Sequence, residues 1–103
     1  MKCALVCIAK DEDHYIQEWV DYHLMLGFSD IYVWQNNWRS AVLTESKNVH
    51  LKTIDGNFKQ VECYYLAIDE LHSMYDWIAF FVIYEFLVLK PNREFSYVDE
   101  FLS

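Results

Sequence analysis

Residues 3–9 run Cys3, Ala4, Leu5, Val6, Cys7, Ile8, Ala9 without one polar interruption, and a helix-forming pattern follows almost at once. That pairing constrains the fold more than any other feature. A short unbroken apolar run fits a strand covered on both faces, as in a parallel sheet, whereas a strand with one wet face alternates. After the polar break at residues 10–13, Ile16, Trp19, Val20 and His23 fall at i, i+3, i+4 and i+7, one face of a helix. Asp11 or Asp13 is placed to cap that helix, and Glu12 suits its positive end. Gly27 stands where a helix stops.

The rest of the chain repeats the theme. Residues 28–34 read as a second strand, 35–47 as a polar loop and 49–54 as a third strand. Asp55 and Gly56 signal a turn. Residues 58–75 return to helical spacing through Val61, Tyr64, Tyr65, Ala67, Ile68, Leu71, Met74 and Tyr75. Residues 76–83 are a fourth apolar run, 85–89 a short turn or strand, and 97–102 the start of a last helix. The order β-α-β-β-α-β predicts an open α/β sheet with crossovers in one domain spanning residues 1–103. Two glycines and one proline are too few for a sandwich or barrel of many short strands.

Charge and cysteine content narrow the function classes. A formal net charge of −8 argues against a nucleic-acid binder and against attraction to anionic lipid. Such a chain accommodates a divalent cation or a basic partner better. Cys3 and Cys7 would be roughly 13 Å apart along a strand, too far for a disulfide or a shared metal. With Cys63 they read as small buried residues in a reducing compartment. Residues 2–9 weakly mimic a signal peptide, but Lys10, Asp11, Glu12 and Asp13 follow with no small-residue cleavage site. The most apolar stretch, 77–89, is too short to span a bilayer. A soluble cytoplasmic protein without a transmembrane segment is the expectation.

Three blocks carry a family resemblance. The first is Lys10, Asp11, Glu12, then Glu18, Trp19, Tyr22, His23, Leu26 and Gly27. The second is Gln60 to Tyr64, and the third is Asp76, Trp77, Ile78, Phe80, Glu85, Phe86 and Leu87. Together they resemble GT-A-type glycosyltransferases of the family 2 and family 92 kind, whose patterns are K-N-E, E-W-x-x-Y-H-x-x-L-G, Q-x-x-A-Y-N and D-W-I-x-F-x-D-x-D-E-F-L. The resemblance covers nearly the whole chain. It implies a three-layer α/β/α sandwich with a mostly parallel sheet of about four strands in the order 3-2-1-4. It also implies a nucleotide-diphospho-sugar bound across the carboxyl ends of the strands, with a divalent metal bridging the diphosphate and an Asp-x-Asp motif.

Against that pattern the chemistry has been erased. The two metal-motif aspartates fall on Val82 and Tyr84, and only Glu85 of the following positions is kept. Valine has no ligand atom, and a phenol titrating near pH 10 is a poor one. The nucleoside-contacting aspartate falls on Gln35, and the asparagine of the Q-x-x-A-Y-N block on Tyr65. Asp11 stands for the asparagine of K-N-E, while Glu12 matches; Asn36 and Asn37 remain, but Trp38 and Arg39 follow them. Relatives of this kind continue into an acceptor-binding half, so the resemblance implies a nucleotide-binding half without one.

The expectation is a glycosyltransferase-like protein inactive as an isolated chain, with no catalytic residue. A residual nucleotide contact is expected from Ala9, Asp11, Glu12, Gln35, Asn36 and Gln60. For Glu12 the competing reading is a helix-start charge, and for Asn36 and Asn37 a turn. No cofactor is expected; manganese or magnesium with a UDP-sugar would enter only if other residues hold them. The alternative is a non-catalytic interaction module, self-associating or bound to a full-length transferase; in either case the expected partner is a second copy, giving a homo-oligomer, or another glycosyltransferase chain. Trp34, Trp38, Tyr64, Tyr65, Tyr84 and Phe86 are expected near the carboxyl edge of the sheet, where they would stack a ring or form an interface. His14 and Glu18 share a helix face, but without a third ligand they read as surface residues.

Overall fold

The computed structural model describes residues 2–10, 16–37, 43 and 45–81. They form β1 (Cys3–Lys10), α1 (Ile16–Leu26), β2 (Asp30–Asn36), β3 (Val49–Ile54), α2 (Gln60–Leu71) and β4 (Trp77–Phe80). All strand pairs are parallel, in the order β3-β2-β1-β4. The fold is therefore α/β on a four-stranded parallel sheet, in the expected strand order.

The central position of β1 explains its unbroken apolar run. It pairs with β2 from Ala4 opposite Asp30 to Lys10 opposite Asn36, and with β4 from Cys3 opposite Trp77 to Val6 opposite Phe80. Its odd residues Cys3, Leu5, Cys7 and Ala9 join Ile16, Trp19 and Val20 of α1, Ile31 and Val33 of β2, and Leu43 in one core cluster. Its even residues Ala4 and Val6 join Tyr32 and Trp34 of β2 and Cys63, Ala67 and Leu71 of α2 in a second. Period-two side-chain alternation divides the strand between the two helices. Chain direction accounts for which helix goes where. From β1 to β2 to β3 the crossovers step one way across the sheet, and from β3 to β4 they step back. Right-handed crossovers of opposite sense lie on opposite faces. Leu43, in the β2–β3 connection, accordingly joins the α1 cluster.

In α1 the four residues of the predicted face, Ile16, Trp19, Val20 and His23, are the buried ones. The helix stops at Gly27, whose φ of 111° suits glycine. There the Gly27 and Phe28 amides donate to the Leu24 and His23 carbonyls at 3.1 and 3.4 Å.

Other boundaries differ from the sequence expectation. The second strand spans Asp30–Asn36 rather than 28–34, so Gln35 and Asn36 belong to a strand and not to the polar loop. The second helix is Gln60–Leu71 rather than 58–75. It cannot begin earlier because Phe58 has φ 57°, outside the right-handed helical region. Beyond Leu71 the chain turns, with Met74 donating to the Leu71 carbonyl at 2.9 Å, and the Asp76 amide then donates to the carbonyl of Lys2, just ahead of β1, at 2.9 Å. The fourth strand is Trp77–Phe80 within the predicted 76–83. The expected segments 85–89 and 97–102 lie outside the described residues.

All three cysteines are buried thiols. Desolvation pushes the Cys63 thiol up to about 12, so it is protonated and inert at neutral pH.

His23 is fully buried, and its Nδ1–H donates to the Trp19 carbonyl at 2.8 Å. The rings of Trp19, Tyr22, Phe28 and Phe81 surround it. Burial lowers its pKa below 6.5, outweighing the opposing effect of that hydrogen bond. The unfolded chain therefore takes up a proton below about pH 6.5 that the folded chain refuses, and stability falls as pH falls through that window. The melting temperature is expected to drop as pH falls from about 7.5 to about 5.5. His23→Gln should show a smaller drop in parallel melts; an unchanged pH dependence would remove His23 as its source.

Candidate functional site

In open parallel sheets the crevice for ligands lies beyond the carboxyl ends of the strands, where the strand order reverses. Here that point falls between β1 and β4, because β2 and β3 extend to one side of β1 and β4 to the other. The carboxyl edge is formed by Ala9 and Lys10 of β1, Gln35 and Asn36 of β2, Thr53 and Ile54 of β3, and Phe80 of β4.

Register brings several expected residues together. Ala9 lies opposite Gln35 and Lys10 opposite Asn36 across β1 and β2. Gln35 and Asn36 in turn lie opposite Thr53 and Ile54 of β3. Ala9 is buried in the α1 cluster, so it offers the edge backbone and not a side chain. Gln35 is half-buried.

Asn36 points to the other face, and its carboxamide is committed. Its Nδ2 donates to the Ile54 carbonyl at 2.8 Å and to the Gly56 carbonyl at 3.1 Å. Asn37, with φ 56°, closes a reciprocal pair with Gly56: Nδ2 donates to the Gly56 carbonyl at 3.2 Å and Oδ1 accepts the Gly56 amide at 2.8 Å. The two asparagines tie the end of β2 to the β3–α2 turn. That turn favours glycine, because Gly56 has φ 111°.

Gln60 opens α2, and its Nε2 donates to Tyr64 Oη at 2.8 Å. The Tyr64 ring packs on Phe80 with centroids 4.6 Å apart. A continuous polar-aromatic line thus runs from the β3–α2 turn to the end of β4. Trp34, expected at an aromatic edge, is buried in the α2 cluster, and Tyr65 points outward from α2 at 71% exposure instead of toward the edge. Asp11, Glu12, His14, Trp38, Arg39, Val82, Tyr84, Glu85 and Phe86 lie outside the described residues.

The described edge supplies amides, carboxamides and aromatic rings. Among the described residues no three His, Cys, Asp or Glu side chains gather to hold a metal.

A second polar cluster, which sequence reasoning missed, lies at the opposite, amino end of the sheet. Tyr75 Oη donates to Asp30 Oδ2 at 2.8 Å and lies 2.8 Å from Tyr32 Oη. With its single proton given to Asp30, Tyr75 accepts from Tyr32. His50 Nε2 donates to Asp30 Oδ1 at 3.0 Å, and its ring stacks on Tyr32 with centroids 4.5 Å apart. Burial, then the bonds to Tyr32 and Asp30 and the Asp30 charge, push the Tyr75 phenol above its ordinary range. Lys2 Nζ sits 5.1 Å from the Tyr75 ring centroid. The cluster ties the starts of β2 and β3 to the α2–β4 turn, at the end of the sheet opposite the carboxyl edge. The only sequence signal for it is the Tyr32–His50 register, which no local pattern reveals.

Comparison with known proteins finds no matching family model, no matching curated protein and no matching solved structure. Among the described residues no helix is long and apolar enough to cross a membrane.

Proposed function

We propose that the chain is a glycosyltransferase-like domain. In this reading its three-layer α/β/α sandwich keeps the nucleotide-binding crevice of nucleotide-diphospho-sugar transferases and has lost the metal site that activates the leaving group. The observation that carries the reading is the all-parallel order β3-β2-β1-β4. It has a reversal point between β1 and β4, with Gln35 and Gln60 near the carboxyl ends. The resemblance in the motifs around Glu18, Gln60 and Asp76 favours this member of the α/β class over others. Glycosyl transfer needs the departing diphosphate neutralised, and Val82 and Tyr84 supply no carboxylate for that. The isolated chain therefore binds a nucleotide without transferring its sugar.

Restoring the carboxylates tests the placement of the lost motif. Val82→Asp with Tyr84→Asp is expected to create manganese affinity absent from the parent, read by titration calorimetry. A folded double variant that binds no manganese would sink the assignment of those two positions.

A further inference from the structure

Helix α2 carries two apolar arcs and the sheet uses only one. Cys63, Ala67 and Leu71 face the sheet, and the small Cys63 and Ala67 let helix and sheet approach closely. Val61, Tyr65 and Ile68, at three- and four-residue spacing, face outward at 65, 71 and 44% exposure. Phe58, in the turn ahead of the helix, is fully exposed. Its φ of 57° is a conformation a bulky residue rarely adopts, and glycine would meet that backbone need without an aromatic ring in water. An apolar stripe of this form matches the anchor pattern by which one amphipathic helix docks on another.

Charge selects the occupant. The twelve residues of α2 include Glu62, Asp69 and Glu70 and no lysine or arginine. Glu70 is paired with Lys52 and Glu62 with Lys59. Asp69 enters no salt bridge among the described residues, and it stands in the last turn, where the helix dipole favours a cation. On the helix surface Glu62 and Asp69 fall together along one rim of the stripe. A second copy docked through α2 would bring the uncompensated Asp69 of each chain to the same seam, on chains of net charge −8 each. A partner with basic residues beside its apolar stripe would meet opposite charge instead.

We infer that the outward face of α2, through Val61, Tyr65 and Ile68, docks an amphipathic helix of a different protein whose apolar stripe is flanked by lysine or arginine. These side chains point away from the sheet, so the inference stands or falls independently of nucleotide binding.

Two synthetic helical peptides test it on the full chain. Both carry leucines at alternating three- and four-residue spacing, one with lysine flanks and the other with glutamate flanks. The lysine peptide is expected to bind at least about tenfold more tightly, with affinity falling as salt rises. Val61→Ser with Ile68→Ser, both exposed, should abolish binding while the far-ultraviolet dichroism stays unchanged. Glu62→Lys with Asp69→Lys should reverse the preference between the peptides. Equal binding of both peptides, or binding unaffected by these substitutions, would overturn the inference. So would light scattering that shows a dimer dispersed by the serine pair. Hydrogen exchange that shows the stripe already covered by residues 82–103 in the monomer would overturn it too.

Discussion

Trp19→Ala is expected to remove roughly 3–5 kcal/mol of stability, the usual cost of deleting a buried aromatic. Trp19 is fully buried in the α1 cluster, beside His23 with ring centroids 4.5 Å apart, and belongs to the same core as Leu5, Cys7 and Val33. The backbones of β1 and β2 beneath it are held in the sheet by pairing along their length, which limits collapse into the space. A domain of this size has only about 5–15 kcal/mol to lose. The melting temperature should fall by at least about 10 °C, and unfolding at physiological temperature is within reach. Tyr65→Ala, on the exposed side of α2, provides the contrast and should stay within about 0.5 kcal/mol of the parent. Equal losses from the two substitutions would mean that α1 does not cover the sheet as described.

Asn36→Asp is the second large effect. The change is isosteric, yet it replaces a two-proton donor with a carboxylate facing the Ile54 and Gly56 carbonyls. Asn36 is only 6% exposed. Two charge-to-carbonyl repulsions and the desolvation of the new charge are expected to cost about 2–4 kcal/mol. Asn36→Ala, which loses the bonds without adding charge, should cost about 1–2 kcal/mol. The asparagine pair ties the β3–α2 turn to β2, so amide exchange at Gly56 and Asn57 should accelerate in both variants, more in Asn36→Asp. Chemical denaturation that ranks alanine as the worse of the two would contradict the donor geometry at Ile54 and Gly56.

How much of this was legible in the sequence depends on whether the determinant was local. The continuous run of β1 announced a central parallel strand, and the spacing of Ile16, Trp19, Val20 and His23 identified the buried face of α1. The third strand was read at its observed limits because Asp55 and Gly56 mark its end. Helix α2 was harder. Its sequence holds apolar residues on both arcs, and periodicity cannot say which arc a sheet will accept. Close packing on the sheet selected Cys63 and Ala67 for their size, leaving Val61, Tyr65 and Ile68 outside. Gln35 and Asn36 looked like loop because both are polar; the Asn36 carboxamide is satisfied by carbonyls far along the chain. Asp30, His50 and Tyr75 are likewise brought together by strand register over 20 to 45 residues, a distance at which sequence pattern carries no signal. At the carboxyl edge the residue types were visible, but not that the asparagine carboxamides are spent on the β3–α2 turn.

Isothermal titration of UDP into the folded protein, with and without manganese, tests the central claim most directly. The account predicts weak binding, in the micromolar-to-millimolar range, identical in the two conditions. Binding strengthened by manganese would contradict the loss of the metal site, and no heat at millimolar UDP would contradict a surviving nucleotide crevice.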